Sequence, residues 1–598
     1  MNMNFNTLGK TATLALRVSD SRKPTEPLLT GSKPKQLSTR EPIAAPLPTS
    51  TPEAEGIPSR TLSAFFEALR NDASLHMHTV LVLCHGKVIS RASFLDYDYS
   101  VAKSTFSACK SVTALAVGML RDDGKLSVDD PVLPIFEGDF SLSPLARLRY
   151  RDLKIRDLLT MRAAATFAEA DAMAEENWLH GFFSSNASGT VGETFQYNSL
   201  CTYVLSAIVQ KISGETLFAF LKRRLFDPLS IRDVFWEESP EGITKGGWGL
   251  YIRPDDLAKI GQMVLNGGTY EGIRCVSEAW IDEMTSPSVA EPLPGGRFAY
   301  GYQVWIERES GAFLFNGMLG QNVLGIRQNG LLFVSNAGND ETFQTSSYFD
   351  AVLPFCRLCN SGSLPPDRKG QAALAAAEHD PKSAPPPKRR CFLSRLFSGK
   401  ASAAFLPSAC ARYAGRRYLP ISADSASCGL LPIFLQVLQN NYSAGLESVS
   451  FRTEDGTFFL RYREKDEEHR IPVGFDEPKL TAVSFHGESY WVRCFGRFTE
   501  DEDGTPVLVL RIAFPETACT RTLKFFFGSA PRMIQTEQPG GTFVSAFLSD
   551  FLKEYAEKPV IGAAVSHVSE DYLDYRVGCV FSPCLKMRED ASAGDLTE

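Results

Sequence analysis

Residues 361 to 405 offer little that a core can be built from. Ala-rich and Pro-rich sequence surrounds Pro385-Pro386-Pro387-Lys388-Arg389-Arg390, too polar and too often broken by proline to pack. The stretch reads as a linker, and it separates two regions whose apolar residues recur with different periods. Residues 55 to 355 alternate strand and helix signals, which predicts a mixed α/β domain. After residue 410 come alternating strands such as Phe458-Leu460-Tyr462 and Val507-Val509-Arg511, with turns at Asp455-Gly456 and Asp503-Gly504, which predicts a β-meander. One helical stripe, Phe547, Phe551 and Tyr555, is expected to pack over or beside that sheet. Residues 1 to 50, rich in Pro, Ser, Thr and Lys without an apolar period, are expected to be a mobile leader. The chain thus divides into a leader (1–50), an α/β domain (51–360), a linker (361–405) and a β-rich domain (406–598).

Of the 598 residues 44% are hydrophobic and 41 are Phe, enough to bury two cores. With 62 Lys+Arg against 70 Asp+Glu the net charge is -8, which argues against a broadly basic nucleic-acid binder and leaves small substrates open. The basic part of the linker, continuing through Phe392, Arg395 and Phe397, reads as solvated sequence rather than a membrane contact. The 13 Cys are odd in number and scattered, which favours a reducing compartment over a disulfide framework. Cys356 and Cys359 lack the second pair of a zinc ribbon, and His76 and His78 lack companions at ligand spacing, so neither a metal nor another cofactor is expected. The short apolar run after Lys10 is broken by Arg17, and no run of about 18 apolar residues occurs. The expectation is a soluble cytoplasmic protein with no transmembrane segment.

Within the α/β domain, Val80 to Cys84, a turn at His85-Gly86 and Val88 to Phe94 read as a hairpin. Helices are expected from about 107 to 121 and from 199 to 213, the second ended by Gly214. Strands near 312–316 and 322–335 return to the sheet.

No glycine-rich phosphate loop and no Gly-x-Ser-x-Gly elbow occur. Another serine device does. Ser107-Ala108-Cys109-Lys110 matches Ser-x-x-Lys, and Val112, Leu115, Ala116, Met119 and Leu120 follow at helical spacing, so Ser107 opens a helix. Residues three apart on a helix share a face, which lets the Ser107 hydroxyl and the Lys110 amine meet. The amine can take the serine proton only if burial or another cation lowers its pKa from about 10.4 by several units. The amides at the helix start, Ser107 N–H among them, favour charge developing on an attacked carbonyl oxygen. The same pattern recurs at Ser32 to Lys35 and Ser100 to Lys103, but the first lies in the leader and no apolar stripe begins at the second. A plain helix N-cap is the competing role for Ser107.

Two further elements accompany it. Phe195-Gln196-Tyr197-Asn198-Ser199 precedes the second helix, so Tyr197 sits on a loop at a helix entry. A phenol there relays a proton if a nearby ammonium lowers its pKa from about 10; the alternative is a half-buried aromatic staple. Phe315-Asn316-Gly317-Met318-Leu319-Gly320-Gln321 places small residues between strand-like flanks. It is either an edge strand that offers backbone N–H groups to a substrate or a tight hairpin turn.

In order and spacing these elements resemble the serine β-lactamase and penicillin-binding-protein superfamily, nearest to its β-lactamase-related serine hydrolase branch. So do Asp123-Gly124-Lys125-Leu126, Asp157-Leu158-Leu159-Thr160-Met161, Gly247-Trp248-Gly249 with Arg253-Pro254-Asp255-Asp256-Leu257-Ala258-Lys259, and Tyr300-Gly301-Tyr302, over residues 55 to 355. The resemblance implies an α/β class fold, a β-lactamase/transpeptidase-like sandwich of antiparallel sheet and helices with a helical subdomain. The mainly-β C-terminal domain would be an appended one, lipocalin-like. The resemblance also implies Ser107 as the acylated nucleophile, with Lys110 and Tyr197 sharing base and acid work. Ser199, Asn316, Gly317 and Met318 would bind substrate, with Met318 N–H as the second oxyanion donor. Two positions depart from the family pattern. Ser199 stands where an Asn amide is usual. Phe315 stands where a cation binds the substrate carboxylate, and an aromatic ring cannot form that ion pair. The implied activity is therefore cleavage of a small-molecule ester or amide, esterase-like rather than β-lactamase-like, with no nucleic-acid partner. The alternatives are a non-catalytic ligand-binding protein on the same scaffold and a D-alanyl peptidase.

Overall fold

The computed structural model describes residues 25, 35–94, 96–340, 345–358, 362–379, 406–421, 425, 428–540, 575 and 578–590. They form two compact units. One runs from Ser38 to His379; the described residues from 406 onward, with 35–37, make the other.

The first unit is built on an antiparallel seven-stranded sheet, in the order Lys87–Ser93, Met77–Cys84, Leu331–Ala337, Gln321–Ile326, Phe313–Gly317, Trp305–Glu307, Phe298–Tyr300. Met77–Cys84 is buried along its whole length, the pattern of a strand covered on both faces. The expected hairpin is present, turning at His85 (φ 51°) and Gly86 (φ 78°), the left-handed pair that a two-residue hairpin turn requires. Helix Ser59–Asn71 buries Leu62, Phe65, Phe66 and Leu69 on one face. Helix Pro254–Leu265 lies across Leu331–Ala337 and Gln321–Ile326. Gly261 permits that approach, since a Cβ there would sit 2.7 Å from Val323 Cγ1. A helical subdomain contains Cys109–Asp122 packed on Ser199–Ser213, with Ile155–Leu159 and Trp178–Ser184 around them. Ser199–Ser213 ends at Gly214 (φ 77°), whose N–H caps Gln210 O.

Three expectations need amendment. The stretch 322–335 is two strands, Gln321–Ile326 and Leu331–Ala337, because Arg327–Asn329 form a 3-10 turn closed by Gly330 at φ 63°. Within 1–50, residues 35–50 are fastened by polar contacts that apolar periodicity does not register. Lys35 Nζ lies 2.9 Å from a Glu516 carboxylate oxygen with both side chains buried, Ser38 Oγ donates to Asp233 at 2.6 Å, and Ser50 N–H bonds Val88 O at 2.9 Å. Within 361–405, Arg368–Ala377 is a helix, N-capped by Asp367 and packed on Ser59–Asn71, as its run of alanines favours. The Pro-rich stretch beyond it, Cys359 and the stripe Phe547, Phe551, Tyr555 lie outside the described residues.

The second unit is a ten-stranded antiparallel sheet, ordered Glu468–Val473, Thr457–Glu464, Leu446–Glu454, Arg417–Pro420, Cys584–Glu589, Arg532–Gln538, Thr520–Phe526, Pro506–Ala513, Glu488–Glu500, Lys479–Phe485. Gly474 exchanges hydrogen bonds with Cys494 and Gly496, which draws the two ends together into a barrel-like form. Its core includes Tyr418, Phe451, Phe458, Tyr462, Leu510 and Phe525. Buried Arg521 fixes the segment leading into helix Ile433–Gln439, bonding Leu431 O at 2.8 Å and Glu537 at 2.6 Å. No single helix among the described residues is long and apolar enough to cross a membrane.

Candidate active site

The chain enters the site from a small sheet in which Lys103–Ser104 pairs with Leu250–Ile252. Phe106 then takes φ 45°, a left-handed conformation that costs a bulky residue about 1–3 kcal/mol. This corner feeds a 3-10 turn, Phe106–Ala108, and then helix Cys109–Asp122. Ser107 is left part-exposed while its neighbours are buried. Lys110, one turn on, is 1% exposed. Its Nζ donates to Ser107 Oγ at 2.6 Å and to Gly247 O at 2.8 Å. The nucleophile candidate is thus open to solvent and the amine behind it is not.

Burial pulls the Lys110 pKa down to about 8, against the opposing pull of the Glu169 carboxylate and of the Cys109 and Cys201 thiols. Tyr197 engages the same serine hydroxyl. Burial drives its pKa upward, and the bond to Ser107 offsets only part of that rise. The condition set on the phenol, that a neighbouring ammonium lower its pKa, is therefore not met, because desolvation dominates. The Tyr197 ring stacks on Trp305 at 5.8 Å and 24°, and Lys110 Nζ lies 5.1 Å from its centroid.

Strand Phe313–Gly317 packs against the turn that carries Ser107. It pairs with Gln321–Ile326 throughout, but with Trp305–Glu307 only at Phe313 and Leu314, so Phe315 to Gly317 form a local edge. Gly317 is required there, since a Cβ would stand 2.2 Å from Thr105 O. Met318, part-exposed, follows at the start of a 3-10 turn. Asn316 is 5% exposed and donates to Asn322 Oδ1 at 3.2 Å. Phe315 is fully buried in the core beside Phe313, so this position presents neither a charge nor an exposed ring. Ser199 is 4% exposed. It donates its N–H to Glu169 Oε1 at 3.0 Å and packs against Gly247, behind the anchor of Lys110. Its neighbour Asn198 braces the loop, donating to Ala165 O at 3.0 Å and Phe167 O at 2.9 Å.

Ser107, Lys110 and Tyr197 therefore converge, Gly317 and Met318 border them, and Ser199 and Asn316 stand back in the packing. The sequence reading missed Glu169 and gave Gly247 no role. Glu169 carried no signal, being one of two acidic residues in the short helix Glu169–Ala172. Gly247 acts through its carbonyl, which no side chain advertises. A surface cavity of about 740 Å³ on the same unit, lined by Arg297, Glu307, Arg308, Asp350 and Arg357 among others, contains none of these residues.

The family model Beta-lactamase matches residues 101–345. Over 251 residues the chain is 28% identical to a 6-aminohexanoate-dimer hydrolase of Paenarthrobacter ureafaciens, covering 36% of this chain and 61% of that protein. Among solved structures, a penicillin binding protein from Bacillus halodurans aligns at 16% identity and a TM-score of 0.38, over 49% of this chain and 98% of that one. A family VIII carboxylesterase aligns at 14% identity and a TM-score of 0.41, over 52% and 98%.

Proposed function

Because residues 101–345 form a domain of the Beta-lactamase family, we propose that the chain is a serine hydrolase that opens an ester or amide through an acyl-enzyme on Ser107. The observation that carries the reading is the 2.6 Å approach of the Lys110 amine to a part-exposed Ser107 hydroxyl. The relative named as a 6-aminohexanoate-dimer hydrolase supports hydrolysis in general.

In this reading neutral Lys110 takes the Ser107 proton as Oγ attacks the substrate carbonyl. The Ser107 and Met318 N–H groups hold the oxyanion. Tyr197, kept neutral by its burial, gives its proton to the leaving oxygen or nitrogen as the bond to carbon breaks, and regains one from the Lys110 ammonium. Water then attacks the acyl-serine with the same groups acting in reverse order. The two pKa shifts, downward for the amine and upward for the phenol, support the amine as base and the phenol as donor. A buried Phe315 supplies no partner for a substrate carboxylate, which favours esters or amides without one over penicillins and D-alanyl peptides.

The test is labelling with a fluorophosphonate probe, followed by peptide mapping and turnover on a panel of p-nitrophenyl esters, anilides and β-lactams. Label is expected on Ser107, and Ser107→Ala is expected to lose both label and turnover. Equal labelling of that variant would end the reading.

A further inference from the structure

The second unit contains a group of side chains that the serine chemistry does not use. Glu464 ends strand Thr457–Glu464, Asp466 and Glu467 lie in the turn that follows, and His486 lies in the turn between Lys479–Phe485 and Glu488–Glu500. His486 N–H donates to Glu467 Oε2 at 2.7 Å, which ties the two turns together. The His486 Nε2 atom then lies 3.4 Å from Asp466 Oδ2, 3.9 Å from Glu467 Oε2 and 4.0 Å from Glu464 Oε2. That atom makes no hydrogen bond among the described residues and is itself covered, while the His486 side chain as a whole is 21% exposed.

The other ring nitrogen is engaged elsewhere. His486 Nδ1 pairs with Asn441 Oδ1 at 2.9 Å. The orientation of that amide is fixed, since Asn441 Nδ2 donates to Phe485 O at 2.9 Å and to Glu488 Oε2 at 3.0 Å. An amide oxygen only accepts, so Nδ1 bears a hydrogen and points it at Asn441, which leaves Nε2 facing three carboxylates. A ring nitrogen facing several carboxylates calls for positive charge between them, which a metal ion supplies as well as a proton does. A ligating imidazole whose remote N–H is held by an oxygen acceptor is the arrangement that orients a metal-bound histidine. Metal–ligand bonds of about 2.0–2.1 Å in a tetrahedron put ligand atoms about 3.3 Å apart. Here one ligand atom from each of Glu464, Asp466 and His486 lies within 4.8 Å of the others, so a bound ion would draw them inward to reach that spacing.

We propose that Glu464, Asp466 and His486 form a divalent metal site on the second unit, with zinc as the favoured ion and Asn441 orienting the imidazole. One nitrogen with two carboxylates suits a first-row ion such as Zn²⁺ and disfavours Ca²⁺ and Mg²⁺, which prefer all-oxygen shells. Sequence spacing conceals the set, since its members come from two turns about twenty residues apart.

The test is calorimetric titration of the full chain with ZnCl2 after treatment with a chelator. One zinc per chain is expected. Asp466→Asn and His486→Asn are expected to weaken binding at least tenfold, Asn being able to keep the φ of 49° at position 486. Ser107→Ala is expected to bind zinc like the parent, so the outcome is separate from that of the hydrolase reading. Thermal unfolding supplies a second readout, with zinc raising the melting temperature of the parent and not of folded His486→Asn. Absence of a stoichiometric site, unaltered affinity in both variants, or equal competition by calcium would overturn the proposal; the ring would then be an imidazolium paired with its acidic neighbours.

Discussion

The Lys110 amine is asked to be a base in a place where water cannot reach it. Burial brings its pKa to about 8, so near neutral pH most copies carry a proton and only the remainder can activate Ser107. The rate constant kcat/KM is expected to rise about tenfold per pH unit up to an inflection near 8 and then level, measured on a neutral ester. The sign for stability is the same. The unfolded lysine titrates near 10.4, so the unfolded chain binds more protons between about 8 and 10.4 and folding stability gains as pH climbs through that window. A Lys110→Met variant is expected to lack this gain in denaturant titrations. Tyr197→Phe is expected to lower turnover on the order of 10²–10⁴-fold while Ser107 still labels. Gly247 is as exposed to substitution as the reacting groups. A Cβ there would meet Ser199 O at 2.7 Å, so Gly247→Ala must shift the carbonyl that aims Lys110. A drop in kcat of about 10²-fold with KM little changed is expected, since an error of about 1 Å in a catalytic group has that effect.

At the scale of elements, Gln303 determines whether the serine and the tyrosine stay in register. Its carbonyl accepts from Ser111 Oγ at 2.6 Å on the nucleophile helix, and its Oε1 accepts from Thr202 Oγ1 at 2.6 Å on the helix that follows Tyr197. Its Nε2 donates to Leu158 O at 2.9 Å and Leu159 O at 3.1 Å. Gln303→Leu keeps the carbonyl that Ser111 bonds but takes the side-chain partners from Thr202 Oγ1 and the Leu158 and Leu159 carbonyls, and a loss of about 2 kcal/mol is expected in chemical denaturation. None of this was legible from the sequence, and the reason is physical. Ser107 and Lys110 announce themselves because a helix repeats every 3.6 residues and they share its face. The end of the second helix was marked by Gly214, whose missing Cβ permits the left-handed stop. Gln303, Glu169 and the Gly247 carbonyl act across chain separations that leave no periodic trace, and Gln303 holds φ 59° without being glycine. Tyr197 became a site residue only through the resemblance, since an aromatic at a helix entry is as readily a packing residue. The helix Arg368–Ala377 was hidden by the proline-rich stretch that follows it, although its alanines and Asp367 favour a capped helix.

Across the whole molecule, the two units have separate hydrophobic cores, and differential scanning calorimetry is expected to resolve two transitions. Acylation of Ser107 is expected to move only the transition of the first unit. The two sheets also differ in how they end. In the barrel-like unit Gly474, just past one outer strand, bonds Cys494 and Gly496 of the strand next to the other border. The seven-stranded sheet is open, and both its borders are occupied by irregular chain: Thr49 bridges Val88 and His379 bridges Ser93 on one side, and Val289 bridges Tyr300 on the other. Border strands with bare amides and carbonyls are templates on which further chains add. Residues 48–50, which bond Val88 through Pro48 O and Ser50 N–H, cover one such border, and a variant with that stretch replaced by a flexible Gly-Ser run is expected to self-associate, read by light scattering.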